Sequence, residues 1–330
     1  MRALIVIPCL NEIAHIKPLL QQLLPFVTQN GGQIVVADGG STDGTRDVVA
    51  GMAEQHEQII LLDNPKRIQS AGINLAVDRF GADHDVLIRI DAHSAYPEDY
   101  CAILLEEAKA TGAASVVVGM VAEGAGLVQG ANAAVQNSPL GTGGSKHRAC
   151  PTGDYVVHGH HALMQIAAFR QVGGYDERFS HNEDAELDWR LVQAGHQIWL
   201  TNKTFVTYFP RKSMDALARQ YFNYGKGRAR TMLKHRMKPQ ARQLIVVMVV
   251  PCLLLMVLTP ITMLAALPAL IWLVACLLGG VYIAVQHVSA ALILTGVSAA
   301  VMHAAWSAGF WWRLLQTATG CDPVQTVGAQ

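Results

Sequence analysis

The chain has 330 residues, 51% of them hydrophobic and only 15% charged, against about 25% charged in an average soluble protein. The deficit is local: residues 243–312 contain no Asp, Glu, Lys or Arg, whereas residues 1–242 carry 24 basic and 24 acidic side chains. An uncharged run far longer than the ~20 residues of one spanning helix excludes a wholly soluble or disordered protein. The zero net charge excludes a nucleic-acid binder that relies on bulk positive charge.

Residues 1–8 form a short apolar stretch that Pro8, Asn11 and Glu12 break, with no small-residue cleavage site after it. It reads as a buried strand over 3–7 and not as a signal peptide. A helix over 12–26 follows, with Ile13, Ile16, Leu20, Leu23 and Leu24 on one face. Strands are predicted over 33–37, 59–62, 86–90 and 115–121, and helices over 45–54, 70–79 and 98–110. This alternation predicts a largely parallel α/β sheet covered on both faces.

Ligands on such sheets bind beyond the carboxyl ends of the strands. Those ends read Pro8-Cys9-Leu10-Asn11-Glu12, Asp38-Gly39-Gly40-Ser41-Thr42-Asp43-Gly44 and Asp91-Ala92-His93. A buried carboxylate is costly unless it is paired or binds a metal, so this repeated placement predicts a ligand site. Residues 122–160 read as a long glycine-rich loop. Within it, Gly124, Gly126 and Gly130 have G-x-G-x-x-x-G spacing, which departs from the dinucleotide fingerprint.

A denser cluster follows: His158-Gly159-His160-His161, Gly173-Gly174-Tyr175-Asp176-Glu177, then His181 to Arg190. Helical spacing over 183–193 puts Asp184 and Asp188 on one face. Glu186 and Arg190 read as a solvated helix face. The six cysteines, Cys9, Cys101, Cys150, Cys252, Cys276 and Cys321, include no C-x-x-C pair and read as reduced, small, largely apolar residues.

Residues 211–242 hold ten basic side chains and one acid, Asp215. With Met214, Leu217, Tyr221 and Tyr224 at helical spacing, the segment reads as an amphipathic helix at a membrane surface. Lys226, Arg228 and Arg230 are candidates to bind a diphosphate. The uncharged run divides into spans near 245–267, 268–286 and 289–312, the third open to a re-entrant reading. His287 and His303 are expected to hydrogen-bond within the bundle, since no acidic partner exists in the spans. The basic segment before the first span predicts a cytosolic N-terminal domain by the positive-inside rule.

Taken together, Pro8-x-x-Asn11-Glu12, Asp38 to Thr45, Asp91-Ala92-His93 and Asn182-Glu183-Asp184 resemble glycosyltransferase family 2, with its GT-A fold, over about residues 1–230. Gly141-x-Gly143-Gly144, the His158-Gly159 region, Gly173-Gly174-Tyr175-Asp176-Glu177 and 221–230 are similar to the ExoA type of succinoglycan-biosynthesis glucosyltransferase. The resemblance implies an inverting transferase that uses a UDP-sugar, glucose by the closer likeness, and a lipid-linked saccharide. Asp38 would accept from the uracil, with Pro8, Leu10, Asn11 and Glu12 bordering the uridine and Gly40 and Ser41 beside it. Arg67, Gly72 and Asn74 would add nucleotide contacts. Asp91 and His93 would hold a divalent metal, Mg²⁺ or Mn²⁺, through the diphosphate. His158 and Gly159 would join Lys226, Arg228 and Arg230 near the diphosphate and acceptor. Asp184 would be the general base, with Glu183 supporting it.

Processive members of the family carry Q-x-x-R-W. The comparable Gln220-Tyr221-Phe222-Asn223-Tyr224 lacks Arg and Trp, which implies single addition. The implied organisation is a cytosolic GT-A domain (1–210), an interface segment (211–242), transmembrane helices (243–313) and a tail (314–330), at the bacterial inner membrane. The expected partners are the UDP-sugar, the lipid-linked acceptor and membrane lipids, with no nucleic acid; a second copy or a polysaccharide-assembly complex is left open. The alternatives are a polyprenyl-phosphate glycosyltransferase, an inert scaffold of a polysaccharide assembly, and a transporter with a nucleotide-sensing domain.

Overall fold

The structure, a computed structural model, describes residues 1–144 and 152–320. Cys150, Cys321 and most of the tail lie outside the described residues. The chain forms two compact units, residues 1–121 with 149–208 and residues 122–148 with 209–330.

The elements begin with β1 (Ala3–Cys9), α1 (Ile16–Asn30), β2 (Gln33–Asp38), α2 (Thr45–Gln55), β3 (Ile59–Asp63) and α3 (Gln69–Phe80). They continue with β4 (Val86–Arg89), α4 (Tyr100–Thr111) and β5 (Ser115–Ala122). Next are α5 (Gly126–Gln136), α6 (Pro139–Thr142), β6 (Asp154–Val156), β7 (His160–Gln165), α7 (Ile166–Gln171), α8 (Glu183–Gln193) and β8 (Ile198–Tyr208). The strands form one sheet in the order β3-β2-β1-β4-β7-β5-β8-β6.

Apolar alternation along β1 builds two cores. Ile5 and Ile7 meet Ile16 and Leu20 of α1, Val49 of α2 and Leu104 of α4, while Leu4 and Val6 meet Ile73 of α3, Phe169 of α7 and Leu187 of α8. Successive strand side chains point to opposite faces, so a strand buried on both sides must be apolar throughout. Strands β1 to β4 are parallel, as expected. The rest of the sheet corrects that expectation: β7 inserts antiparallel between β4 and β5. Between β5 and β7 the chain runs through α5 and α6, which belong to the second unit.

The expected loop over 122–160 is also corrected, because it contains α5 and α6. Ala131, Asn132 and Val135 share the buried side of α5, a helical spacing that the glycines obscured.

The second unit also contains α9 (Met214–His235), α10 (Ala241–Val247), α11 (Val249–Leu255), α12 (Leu267–Gln286) and α13 (Thr295–Ala318). Three segments are long and apolar enough to cross a membrane: Ala241–Leu258, Met263–Gln286 and Ala290–Ala318. The basic helix α9 packs directly on α13. A Cβ on Gly225 would lie 1.9 Å from the Trp306 carbonyl oxygen, and one on Gly309 would lie 1.9 Å from that of Phe222. Backbones can approach this closely only where side chains are absent. His303 bonds through Nε2 to the Leu140 carbonyl at 2.9 Å, and the Ser298 hydroxyl donates to Asn132 Oδ1 at 2.7 Å. Nδ1 of His303 accepts from Trp272 Nε1 of α12 at 3.4 Å, the bonding between spans expected of it, whereas its bond to α6 was not foreseen.

Candidate active site

The carboxyl ends of β1 and β2 are bonded into one framework. The Asn11 amide donates to Ser41 Oγ at 2.8 Å, the Thr42 amide donates to Asn11 Oδ1 at 2.8 Å, and the Glu12 amide donates to Thr45 Oγ1 at 2.9 Å. Asn11 is left-handed, with φ 57°, a conformation that costs energy and here turns the chain after Pro8. Leu10 is exposed at this edge.

Asp38 is buried and accepts from the Gly40 amide (2.8 Å), the Ser41 amide (3.0 Å), Ser41 Oγ (2.5 Å) and Arg46 Nη1 (2.7 Å). Burial alone raises its carboxyl, but the bonds from Ser41 and Arg46 outweigh this and hold it below the usual range. Arg46 also reaches Asp63 at 2.6 Å.

Arg67, after β3, is left-handed at φ 56°, and its guanidinium lies over Gly40, where a Cβ would be 3.5 Å from Nη2. Gly72 faces Asn64 and Ala37 so closely that a Cβ would meet Asn64 Nδ2 at 2.9 Å. The Asn74 amide is engaged by the loop before α8: Nδ2 donates to the Tyr175 carbonyl at 2.8 Å, and Oδ1 accepts from the Tyr175 amide at 2.9 Å.

At the end of β4, Asp91 Oδ1 accepts from Gln69 Nε2 at 3.0 Å and from Arg89 Nε at 3.4 Å. Burial pushes this carboxyl up, but Arg89, His160 and His93 pull it further down, below its ordinary value. His93 Nδ1 lies 3.0 Å from Glu12 Oε1. No cluster of three or more His, Cys, Asp or Glu side chains able to hold a metal occurs among the described residues. An ionised carboxylate with one nearby imidazole fits a cation that takes most of its ligands from a bound diphosphate.

Asp184 lies in the first turn of α8, after left-handed Asn182 (φ 66°), and this turn also holds Glu183 and Glu186. Negative charge there is favoured by the helix dipole. Asp184 Oδ1 accepts from Arg89 Nη1 at 2.5 Å, and Glu183 Oε1 is 3.9 Å from Arg89. Arg89 therefore joins Asp91 at the end of β4 to Asp184 and Glu183 of α8. The two acids diverge. Burial and the Asp184 charge raise Glu183 to about 7. Burial also works against ionised Asp184, but Arg89 and His161 outweigh it and hold this carboxyl far below its ordinary range.

His158 and Gly159 both donate to Asp188, from Nδ1 at 2.7 Å and from the amide at 3.2 Å. The expected solvated face of α8 is corrected. Glu186 is fully buried, and Arg190 bonds to it at 2.7 Å, to the Gly174 carbonyl at 2.7 Å and to the Val172 carbonyl. This pair holds the Gly173-Gly174-Tyr175 turn, with Glu186 buried and Arg190 only partly exposed. Lys226, Arg228 and Arg230 lie on α9 in the second unit. Among the described residues Arg228 Nε is buried without a partner, and burial together with the Arg242 charge lowers its pKa.

The sequence reading missed Arg46 and Arg89, and it named His161, Tyr175 and Asp188 in its dense cluster without giving them a role. Arg89 had a signal, since a cation inside an otherwise apolar strand requires a buried counter-charge.

The mixed sheet with carboxylates at its carboxyl edge is, by comparison with known proteins, a GT-A glycosyltransferase fold. The profile "Glycosyl transferase family 2" matches residues 4–173. The succinoglycan biosynthesis protein ExoA of Rhizobium meliloti (strain 1021) is 52% identical over 313 residues, 95% of each chain. The chain belongs to glycosyl transferase family 2 and is a glycosyltransferase.

A second relative comes from Methanococcus voltae, a dolichyl N-acetyl-alpha-D-glucosaminyl phosphate 3-beta-D-2,3-diacetamido-2,3-dideoxy-beta-D-glucuronosyltransferase. It is 27% identical over 240 residues, 67% of this chain and 71% of that one. Among solved structures, the mannosyltransferase PcManGT from Pyrobaculum calidifontis, in complex with GDP-Man and Mn²⁺, superposes with a TM-score of 0.57 at 16% identity. It covers 95% of this chain and 87% of its own. S. aureus TarS 1-349 in complex with UDP-GlcNAc gives 0.50 at 12% identity, over 71% and 67%.

Proposed function

We propose that this enzyme inverts the anomeric centre of a UDP-sugar, glucose by its likeness to ExoA, and transfers it to a lipid-linked saccharide in bacterial exopolysaccharide synthesis. The observation that carries the reading is the Asp184 carboxylate in the first turn of α8, bonded to Arg89 of β4 at 2.5 Å.

In this mechanism Asp38, Gly40, Ser41 and the Pro8–Glu12 turn receive the uridine, with Arg67 alongside. Asp184 removes the proton of the acceptor hydroxyl. The freed oxygen bonds to the anomeric carbon as the bond to the diphosphate oxygen breaks, and UDP leaves with the electron pair. A divalent cation held by Asp91 and His93 would neutralise charge on the departing diphosphate. Lys226, Arg228 and Arg230 of α9 are the side chains proposed to meet phosphate groups of the donor or of the acceptor lipid. The Methanococcus relative's name specifies a dolichyl-phosphate-linked sugar, which supports a lipid-linked acceptor. The three apolar segments support a multi-pass protein of the inner membrane, with the catalytic unit on the cytosolic side.

The test is purified enzyme in detergent, offered a panel of UDP-sugars with and without a lipid-diphosphate saccharide. Acceptor-dependent UDP release and a β-linked product by NMR are expected. An α-linked product from an α-linked donor overturns the single displacement, and UDP release without transfer to any lipid-linked sugar overturns the acceptor class.

A further inference from the structure

We propose that the buried His161–Asp188 pair is a positioning device for the base, fixing the orientation of Asp184 and holding it charged. This rests on Asp184 being the base. Asp188 stands one helical turn beyond Asp184 on α8, so both face β7. It is fully buried and accepts from His158 Nδ1, the Gly159 amide and His161 Nε2, the last at 2.8 Å. Three donors satisfy an ionised carboxylate inside a protein.

An ionised carboxylate can only accept, so Asp188 requires a hydrogen on His161 Nε2. Nδ1 is then the atom whose state can vary. It lies 2.6 Å from the Tyr175 hydroxyl and 3.5 Å from Asp184 Oδ1. His161 is fully buried. The groups facing it are Asp184, Asp188 and Glu183 of α8, Arg89 of β4, the Tyr175 hydroxyl and its neighbour His160.

Burial alone would strip the proton from His161, but the Asp188 and Asp184 charges outweigh burial and raise its pKa above the ordinary value. The imidazolium then donates from Nε2 to Asp188 and from Nδ1 to the Tyr175 hydroxyl, with its charge 3.5 Å from Asp184 Oδ1. Arg89 Nη1 also contacts the Tyr175 hydroxyl, at 3.4 Å, and so closes a ring through Asp184, Arg89, Tyr175 and His161. The two contacts to Asp184, from Arg89 Nη1 and His161 Nδ1, both fall on Oδ1. Oδ2 has no protein donor among the described residues and is the oxygen left for the acceptor hydroxyl.

The pair acts through Asp184, so its removal should affect the chemical step and not donor binding. The experiment compares His161→Gln, Asp188→Asn and Tyr175→Phe with Asp184→Asn in the full-length enzyme. It measures melting temperature, UDP affinity, and kcat and KM for the acceptor across pH. His161→Gln and Asp188→Asn are expected to lower kcat by roughly 10-fold or more, while UDP affinity and acceptor KM stay within about threefold. Their acid limb of kcat should move to higher pH, because losing the cation raises the proton affinity of Asp184.

Wild-type kcat and an unmoved acid limb in these variants, with Asp184→Asn inactive, would overturn the proposal and leave the base in place. Activity retained by Asp184→Asn would instead overturn the base, and the positioning role with it. If both variants of the pair lose UDP binding or melt early, Tyr175→Phe decides, because it removes one hydroxyl from the ring. A lowered kcat with a shifted limb supports the proposal, and an unchanged profile overturns it.

Discussion

Replacing Glu183 by Gln should stabilise the enzyme at pH 8 and change little at pH 5. The Glu183 side chain is 13% exposed, and burial and the Asp184 charge raise its carboxyl from 4.5 to about 7 despite Arg89 at 3.9 Å. A carboxyl raised on folding holds its proton more tightly in the folded chain. Below about pH 4.5 both states are protonated and nothing is lost. Between 4.5 and 7 the folded state binds more protons, so stability falls as pH rises. Above 7 the loss is complete. At 1.36 kcal/mol per pH unit, the shift corresponds to an upper value of about 3 kcal/mol. Gln has no proton to lose and escapes this penalty. Thermal unfolding of detergent-solubilised wild type and Glu183→Gln at the two pH values is the assay. The advantage of the variant should grow by roughly 5 °C or more at pH 8 for a unit of this size. An equal difference at both pH values would refute the reasoning, since it would mean that Glu183 ionises as freely folded as unfolded.

Other outcomes follow from the same geometry. Asp184→Asn should reduce transfer by about 10²-fold or more, as for loss of a general base, with UDP affinity within a few-fold by calorimetry. Chelation by EDTA should abolish activity, Mg²⁺ or Mn²⁺ should restore it, and Asp91→Ala should lose the cation-dependent part of UDP binding; undiminished turnover in chelator would remove the metal. Gly309→Ala puts a methyl group against the Phe222 carbonyl. It should destabilise the α9–α13 packing by roughly 1–3 kcal/mol, read as a lower midpoint in SDS titration.

Much of this molecule is legible from periodicity. The alternation in the first 120 residues locates β1 to β5 and their helices within a few residues, because buried parallel strands are apolar without interruption. The carboxylates Asp38, Asp91 and Asp184 are legible because charges at apolar strand ends, or opening a helix, stand out. What was missed depends on residues distant in sequence. Arg89 and Asp184 are 95 positions apart, and no local spacing pairs them. His161 lies in a run with His158 and His160 whose spacing assigns none of them a partner, and only the fold shows that Asp188 takes two of the three. The burial of Glu186 was hidden for a related reason: its partner Arg190, one turn on, imitates a surface ion pair. Helices α5 and α6 were masked by their glycines.

The membership of residues 122–148 in the second unit bears on how the protein is made and handled. During synthesis the last strand of the sheet, β8, ends at Tyr208, before any apolar segment has left the ribosome. The sheet can therefore close early, while α5 and α6 wait. Their hydrogen-bonding partners Ser298 and His303 are among the last residues translated. A soluble fragment cut near residue 210, the natural choice from the charge distribution, would retain α5 without its partners. Ala131 and Val135, buried in the whole chain, would face water along with Asn132. Such a fragment should aggregate through this helix even when its nucleotide-binding sheet is correctly folded, and replacing residues 123–144 with a short polar linker should relieve the aggregation.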